Sequence, residues 1–185
     1  MKDISRIYHH QPTLNAFEIC QGGGCLVTFN LSLSQNEWQQ VCQLFSTLIQ
    51  NPANERIQIA NAIGLLENLV GAKTGSSEDR AGTFNNSNFA NQMDCNDEAI
   101  NTTTYLRLLK NEGLMQFHDS EDMRTRNFFL TGWPHSTAVI NEIKTRERYA
   151  VDSWFYDNGA PAVIVPFALW KSNYVPPDSP IGKMR

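Results

Sequence analysis

Cys95 stands between acidic residues in "QMDCNDEAINTTTYLRLLKNEG", residues 92 to 113, at the point where turn-like spacing gives way to helical spacing. Asp94 is a good N-cap residue and Asp97 lies three positions on. The thiol is therefore expected in the first turn of a helix running to about Lys110, with Gly113 just past its end. Steps of three or four from Cys95 reach Ala99, Thr102 or Thr103, Leu106 and Leu109 or Lys110, which puts the thiol on a partly buried face. The partial positive charge and free N–H groups of a helix N-terminus favour thiolate, the nucleophilic form. Asp94 and Asp97 oppose it, so nucleophilic chemistry at this position calls for a base.

Of four histidines, His135 opens the strand-like run "HSTAVINEI", and Asp152 lies near the end of the next one, "RYAVDSWF". In an antiparallel hairpin the two would lie toward the same end. Direct opposition requires the turn to centre between Ile143 and Lys144, slightly before the most polar stretch, Lys144 to Arg148. Asp152 would then hold the imidazole through one nitrogen while the other faces Cys95, the arrangement that activates a thiol for acyl transfer. Asp157 or Asn158 in "YDNG" is the alternative orienter, although "DNG" is first a turn signal.

The order Cys95, His135, Asp152, with the thiol on a helix and its partners on adjacent strands, resembles the transglutaminase-like branch of the papain-like cysteine hydrolases. "DC" opening a helix, then "H-x-x-A-V" and "V-D-S-W", is most similar to the bacterial transglutaminase-like cysteine proteinases over Gln92 to Phe155. The resemblance implies Cys95 as nucleophile, His135 as base and Asp152 as orienter, with no cofactor and a peptide or protein as substrate. It also suggests Gln92 as an oxyanion donor. Trp133 and Trp154 flank the histidine and the aspartate and are expected to wall a cleft. Each residue alone has a plainer reading: a small buried hydrophobe for Cys95, a core histidine for His135, a local cap for Asp152, core aromatics for the tryptophans. The function expected is thus a thiol-dependent hydrolase or acyltransferase acting on a peptide or glutamine amide. The alternative is a catalytically inactive papain-like domain that binds a peptide or protein partner through the same groove.

The elements needed to position these residues are legible as an α+β pattern of helices first and antiparallel strands later. "CLVTFNLSL", Cys25 to Leu33, alternates at period two and predicts a half-buried strand. "SQNE" has capping-box spacing ahead of Trp38, Val41, Cys42, Phe45, Leu48 and Ile49, which puts Cys42 in the core. Asn51 and Pro52 start a second helix with Ile59, Ile63, Leu66 and Val70 on one face and Gly71 as its end, so a helical hairpin is expected. Residues 74–91, rich in Gly, Ser and Asn, read as a long loop bordering Cys95 and acting as a lid. "HDSEDMRTRNF" reads as an exposed connection, and "PAVIVP" as a last strand after the "DNGAP" turn.

One domain over residues 1–185 suffices for this length. A net charge of −4 gives no footprint for nucleic acid or anionic lipid, and no window approaches the ~20 apolar residues of a membrane span. The start lacks the apolar core of a signal peptide, so the chain reads as cytoplasmic, with a mature exported form carrying an added Met1 as the alternative. "CQGGGC" reads first as two ordinary thiols around a Gly-rich turn. An exported protein's disulfide comes second, and metal ligation with His9 and His10 a distant third, since no paired "CxxC" or "HExxH" is present. Oligomeric state is not specified by any of these patterns.

Overall fold

The computed structural model describes residues 11–47, 51–84, 91–126 and 134–183. They form two antiparallel sheets and four helices, a mixed α+β arrangement. A hairpin of β1 (Phe17–Gln21) and β2 (Val27–Leu31) precedes α1 (Gln35–Leu44) and α2 (Pro52–Thr74). The long helix α3 (Cys95–Asn111) follows. Then come β3 (His118–Arg126), β4 (His135–Glu142), β5 (Arg148–Asp152), β6 (Val163–Pro166) and the short α4 (Phe167–Lys171). The four later strands make one antiparallel sheet in the order β3-β4-β5-β6.

Local chemistry sets the helix starts. Ser34 and Glu37 form a reciprocal capping box on α1, and Asn51 caps α2 with Pro52 in its first turn. Contrary to the sequence expectation, α2 does not stop at Gly71. It runs to Thr74 and ends on Gly75, whose φ of 84° is the left-handed cap. Gly71 is there for packing: a Cβ would lie 3.0 Å from the Ser77 nitrogen and 3.2 Å from the Asn158 amide. The stretch after α2 begins with a 3-10 turn at Ser76–Glu78, and residues 85–90 lie outside the described set.

Two further corrections concern strands. β1 was not apparent in the sequence, and β2 is shorter than "CLVTFNLSL" suggested, with Val27 exposed. "HDSEDMRTR" is the strand β3 and not a connection. Its polarity fits its place at the edge of the sheet, where charged side chains discourage pairing with another chain.

The core lies between the helices and one face of the large sheet. Ile59, Ile63, Leu66 and Val70 of α2 meet Tyr105, Leu106 and Leu109 of α3, with Ala138, Ile140 and Val151 beneath, and Trp38 of α1 and its C-cap residue Phe45 packed against them. β4 is buried along its whole length. A smaller cluster of Ala150, Phe155, Trp170 and Ile181 stands apart from this core. Among the described residues, no helix is long and apolar enough to cross a membrane.

Candidate active site

The start of α3 is fixed by more than its own cap. Asp94 Oδ1 accepts from the N–H groups of Asn96 (2.9 Å) and Asp97 (3.0 Å), and Asp97 accepts from the Asp94 N–H in return. The same two carboxylates receive the tip of the first hairpin. Gly23 and Cys25 N–H groups donate to Asp97 at 2.7 and 2.6 Å, and Gly24 N–H donates to Asp94 at 2.9 Å. This geometry needs the glycines: φ is 87°, 83° and 59° at Gly22, Gly23 and Gly24, and 59° at Cys25. A run of left-handed residues turns successive N–H groups to one side and makes an anion-binding concavity. Farther along α3, Asn101 clamps both backbone groups of Cys20, at 2.7 and 2.9 Å.

A disulfide joins Cys20 to Cys25 across this turn, which overturns the reading of two free thiols and leaves neither sulfur as a metal ligand. His9 and His10 lie outside the described residues. Among the described residues no cluster of His, Cys, Asp and Glu could hold a metal ion. Burial pushes Asp97 up to about 7, aided by the Asp94 charge, while the Cys25 and Gly23 amides pull it down.

Cys95 is the first residue of α3 and is 5% exposed. The Ser136 N–H faces its sulfur and favours the anion. Burial nevertheless pushes the thiol up to about 12, and the charges of Asp94 and Asp152 add to the rise. The helix N-terminus thus does not by itself make a thiolate, and nucleophilic chemistry here calls for a base, as the flanking aspartates suggested.

His135 and Asp152 meet: Nε2 lies 2.6 Å from Asp152 Oδ2, with both side chains buried. They do so diagonally. The register pairs Ala138 with Val151, so Thr137 faces Asp152 and His135 stands one pleat period earlier. Trp170 Nε1 donates to the same Asp152 oxygen at 2.7 Å, and the imidazole packs among Trp154 (4.6 Å between centroids), Phe155 (5.5 Å) and Trp170 (5.7 Å). His135 Nδ1 is buried and takes no hydrogen bond. Alternation along β4 turns Ser136 toward α3 and His135 toward the aromatic cluster. The thiol is met by the N–H between them and forms no hydrogen bond to the ring.

Beneath this pair lies a set of buried carboxyls not seen in the sequence. Ser153, next to Asp152, donates to Glu98 on α3 and shares a 3.1 Å hydrogen bond with Thr102. Burial and the Glu98 charge push Asp79 up to about 9 and Glu67 well above the carboxylate range, and burial raises Glu98 itself. Raised together, these carboxyls can share protons, and Glu67 Oε1, buried with no fixed donor, has Glu98 as its carboxyl neighbour. Met93 N–H and Gly159 N–H donate to Asp79 and Glu67 at 2.7 and 3.0 Å, so the network ties α2, α3 and the segment after β5 together.

A cleft of about 290 Å³ opens over Cys95, lined by Phe84, Asp94, Asn96, Thr125, Pro134 and Ser136. Phe84 brings the segment after α2 to its wall, and Trp154 Nε1 donates to Thr83 O at 2.9 Å. Gln92 is engaged elsewhere: its Nε2 donates to Glu78 O at 3.0 Å and its Oε1 accepts from Arg80 N–H at 3.1 Å. Asp157 accepts from Arg80 and from Ala81 N–H, both at 3.0 Å, and so is committed to that segment. The Asn158 amide is buried without partners, and Trp133 lies outside the described residues. Trp170, Asn96 and Ser136 had no signal in the sequence, because nothing in their spacing links them to Cys95 or Asp152. Compared with known protein families, curated proteins and solved structures, the chain matches none of them.

Proposed function

We propose that this protein is a thiol-dependent hydrolase or acyltransferase acting on an amide, with Cys95 as nucleophile, His135 as base and Asp152 as orienter. The observation that carries this reading is the His135–Asp152 pair itself: one ring nitrogen is held at 2.6 Å and the other is buried and unpartnered, while Cys95 lines a cleft. A structural histidine in a dry core uses both nitrogens. Here Nδ1 is kept for a proton. Asp152, itself held by Trp170, fixes the ring so that Nδ1 presents its lone pair.

In the reaction the Cys95 S–H proton passes to His135 Nδ1 as the sulfur attacks the substrate carbonyl carbon. The leaving amine takes that proton from Nδ1 as the C–N bond breaks, giving a thioester. Water or a second amine then attacks the thioester, delivering its proton to Nδ1, and the released sulfur takes the proton back. Because burial holds the resting thiol protonated, the nucleophile forms in this reading only as its proton passes to the base. The Cys20–Cys25 disulfide supports an oxidising compartment, and with it the exported form over a cytoplasmic one.

The second reading, a binding domain that makes no covalent intermediate, draws on the high thiol pKa and the missing sulfur–ring hydrogen bond. Alkylation of Cys95 by iodoacetamide across a pH series separates the two. The expected rate rises steeply with pH in the wild type, as for a protonated thiol, and is lower at every pH in His135→Ala. Superimposable profiles would make Cys95 a packing residue and leave the binding reading.

A further inference from the structure

We infer that Asn96 is an oxyanion donor of this site: its side-chain NH2 group, together with the Cys95 N–H, receives the substrate carbonyl oxygen as sulfur attacks. The inference rests on the acyl-transfer reading above. Asn96 lines the cleft beside Cys95. Its carbonyl oxygen is already taken, because Ser136 Oγ donates to Asn96 Oδ1 at 2.8 Å. Ser136 in turn shares a 2.9 Å hydrogen bond with Thr125 Oγ1. With its one proton committed to Asn96, Ser136 accepts from Thr125, and the relay runs Thr125 to Ser136 to Asn96. The amide is thereby locked in one orientation, with Oδ1 toward the sheet and Nδ2 away from it. No acceptor for Nδ2 exists among the described residues.

A second donor stands next to it. As the first residue of α3, Cys95 has an N–H with no carbonyl to bond within the helix, and this N–H favours negative charge at its own sulfur. Once that sulfur binds carbon, the N–H is free for the oxygen of the same adduct. Gln92, the residue the sequence suggested for this task, has its NH2 on Glu78 O. Ser136 serves both halves of the arrangement: its N–H holds the Cys95 sulfur and its hydroxyl orients Asn96.

Two probe reactions at one sulfur test this. Acetylation by p-nitrophenyl acetate passes through a tetrahedral oxyanion: sulfur bonds to the acetyl carbon, p-nitrophenolate leaves, and the thiol proton is released. Alkylation by iodoacetamide displaces iodide at a saturated carbon and forms no oxyanion. Both are followed by peptide mapping of Cys95, with Cys95→Ala as the blank. In Asn96→Ala, acetylation is expected to fall about 10²-fold while alkylation changes by less than about threefold. Ser136→Ala keeps the Asn96 amide and removes its orienter, so acetylation should fall by a smaller factor. Equal losses in both reactions, or undiminished acetylation in Asn96→Ala, would overturn the assignment of Asn96. A wild-type Cys95 that reacts with neither reagent above the unfolded peptide would remove the acyl-transfer reading itself.

Discussion

Among the described residues two buried histidine–carboxylate pairs stand at opposite ends of the large sheet, and they differ in what the second ring nitrogen does. At the far end from Cys95, His118 Nδ1 lies 2.7 Å from Glu55 Oε2, and Nε2 lies 3.1 Å from Arg56, which can only donate. Both nitrogens are used. Glu55 also accepts from the Gln116 and Phe117 N–H groups, Arg56 pairs with Glu142 at 3.3 Å, and its guanidinium lies 4.0 Å over the Tyr149 ring. That pair ties the start of α2 to the start of β3. At the near end, where Cys95 lines a cleft, His135 Nδ1 is buried and unpartnered. A buried His–carboxylate contact is thus no evidence of chemistry by itself, whereas a buried ring nitrogen left without a partner is costly and calls for a use.

Removing the ring at each end gives the largest contrast. His135→Ala is expected to lower acetylation of Cys95 by about 10² to 10⁴-fold, the usual contribution of a general base. His118→Ala should leave the rate per folded molecule unchanged, and stopped-flow release of p-nitrophenolate reads both. If His118→Ala slowed acetylation in the folded protein as much as His135→Ala, the distinction between the pairs would fail.

Stability should show the reverse order. Glu55→Ala strands a buried histidine and two backbone N–H groups and should cost about 3 to 5 kcal/mol by urea denaturation, as breaking a buried charged pair does. A loss below about 1 kcal/mol would show that the far pair is not the tie described here.

The disulfide sharpens the comparison further, since it braces only the near end. Closing so short a loop contributes about 2 kcal/mol, which the Cys20→Ala/Cys25→Ala double variant should lose. Hydrogen exchange should then quicken at the Gly23 and Cys25 amides bonded to Asp97 and stay slow at Gln116 and Phe117, bonded to Glu55. Equal quickening at both sites would mean that the bridge supports the whole fold.

The smallest effect is graded by pH and comes from the carboxyls under Asp152. Asp79 holds its proton up to about 9 in the folded chain, whereas an unfolded aspartate loses it near 3.9. The folded state therefore binds more protons between those values, and this contribution to stability is fully present below the lower one and is lost as pH rises toward the higher. Thermal midpoints should fall from pH 5 to pH 8, and Glu98→Gln, which removes the charge that raises both Asp79 and Glu67, should flatten the slope. A midpoint rising over that range in both proteins would refute the shared-proton network.

Much of the frame was written in local chemistry. The caps at Ser34, Asn51 and Asp94, the period of α3 and the β-branched runs of β4, β5 and β6 each follow from residues a few positions apart, where propensity and hydrogen bonding act without the rest of the fold. The same locality misled at β3, whose polar composition belongs to an edge strand, and at Gly71, which is small for its neighbours and does not end a helix. Order along the chain brought Cys95, His135 and Asp152 into consideration together, and two of the three are in contact. Their electrostatics were not legible. Whether a helix end yields thiolate or thiol depends on how deeply the sulfur is buried and which charges surround it, and both are set by α3 lying on the sheet.

By itself, then, the sequence determined an α+β chain with capped helices, a strand-rich second half and a thiol at a helix start, because each of these rests on interactions within one turn or one strand. Tertiary structure alone decided that "CQGGGC" closes as a disulfide and offers its amides to Asp94 and Asp97, some seventy residues away. It decided likewise that Trp170 shares Asp152 with His135, and that burial raises Glu67, Asp79 and Glu98 together. These are meetings of groups far apart in the chain, and the low dielectric of the core makes each of them consequential. Burial strengthens every hydrogen bond and raises the cost of every unpaired charge, and no pattern of neighbouring residues carries that information.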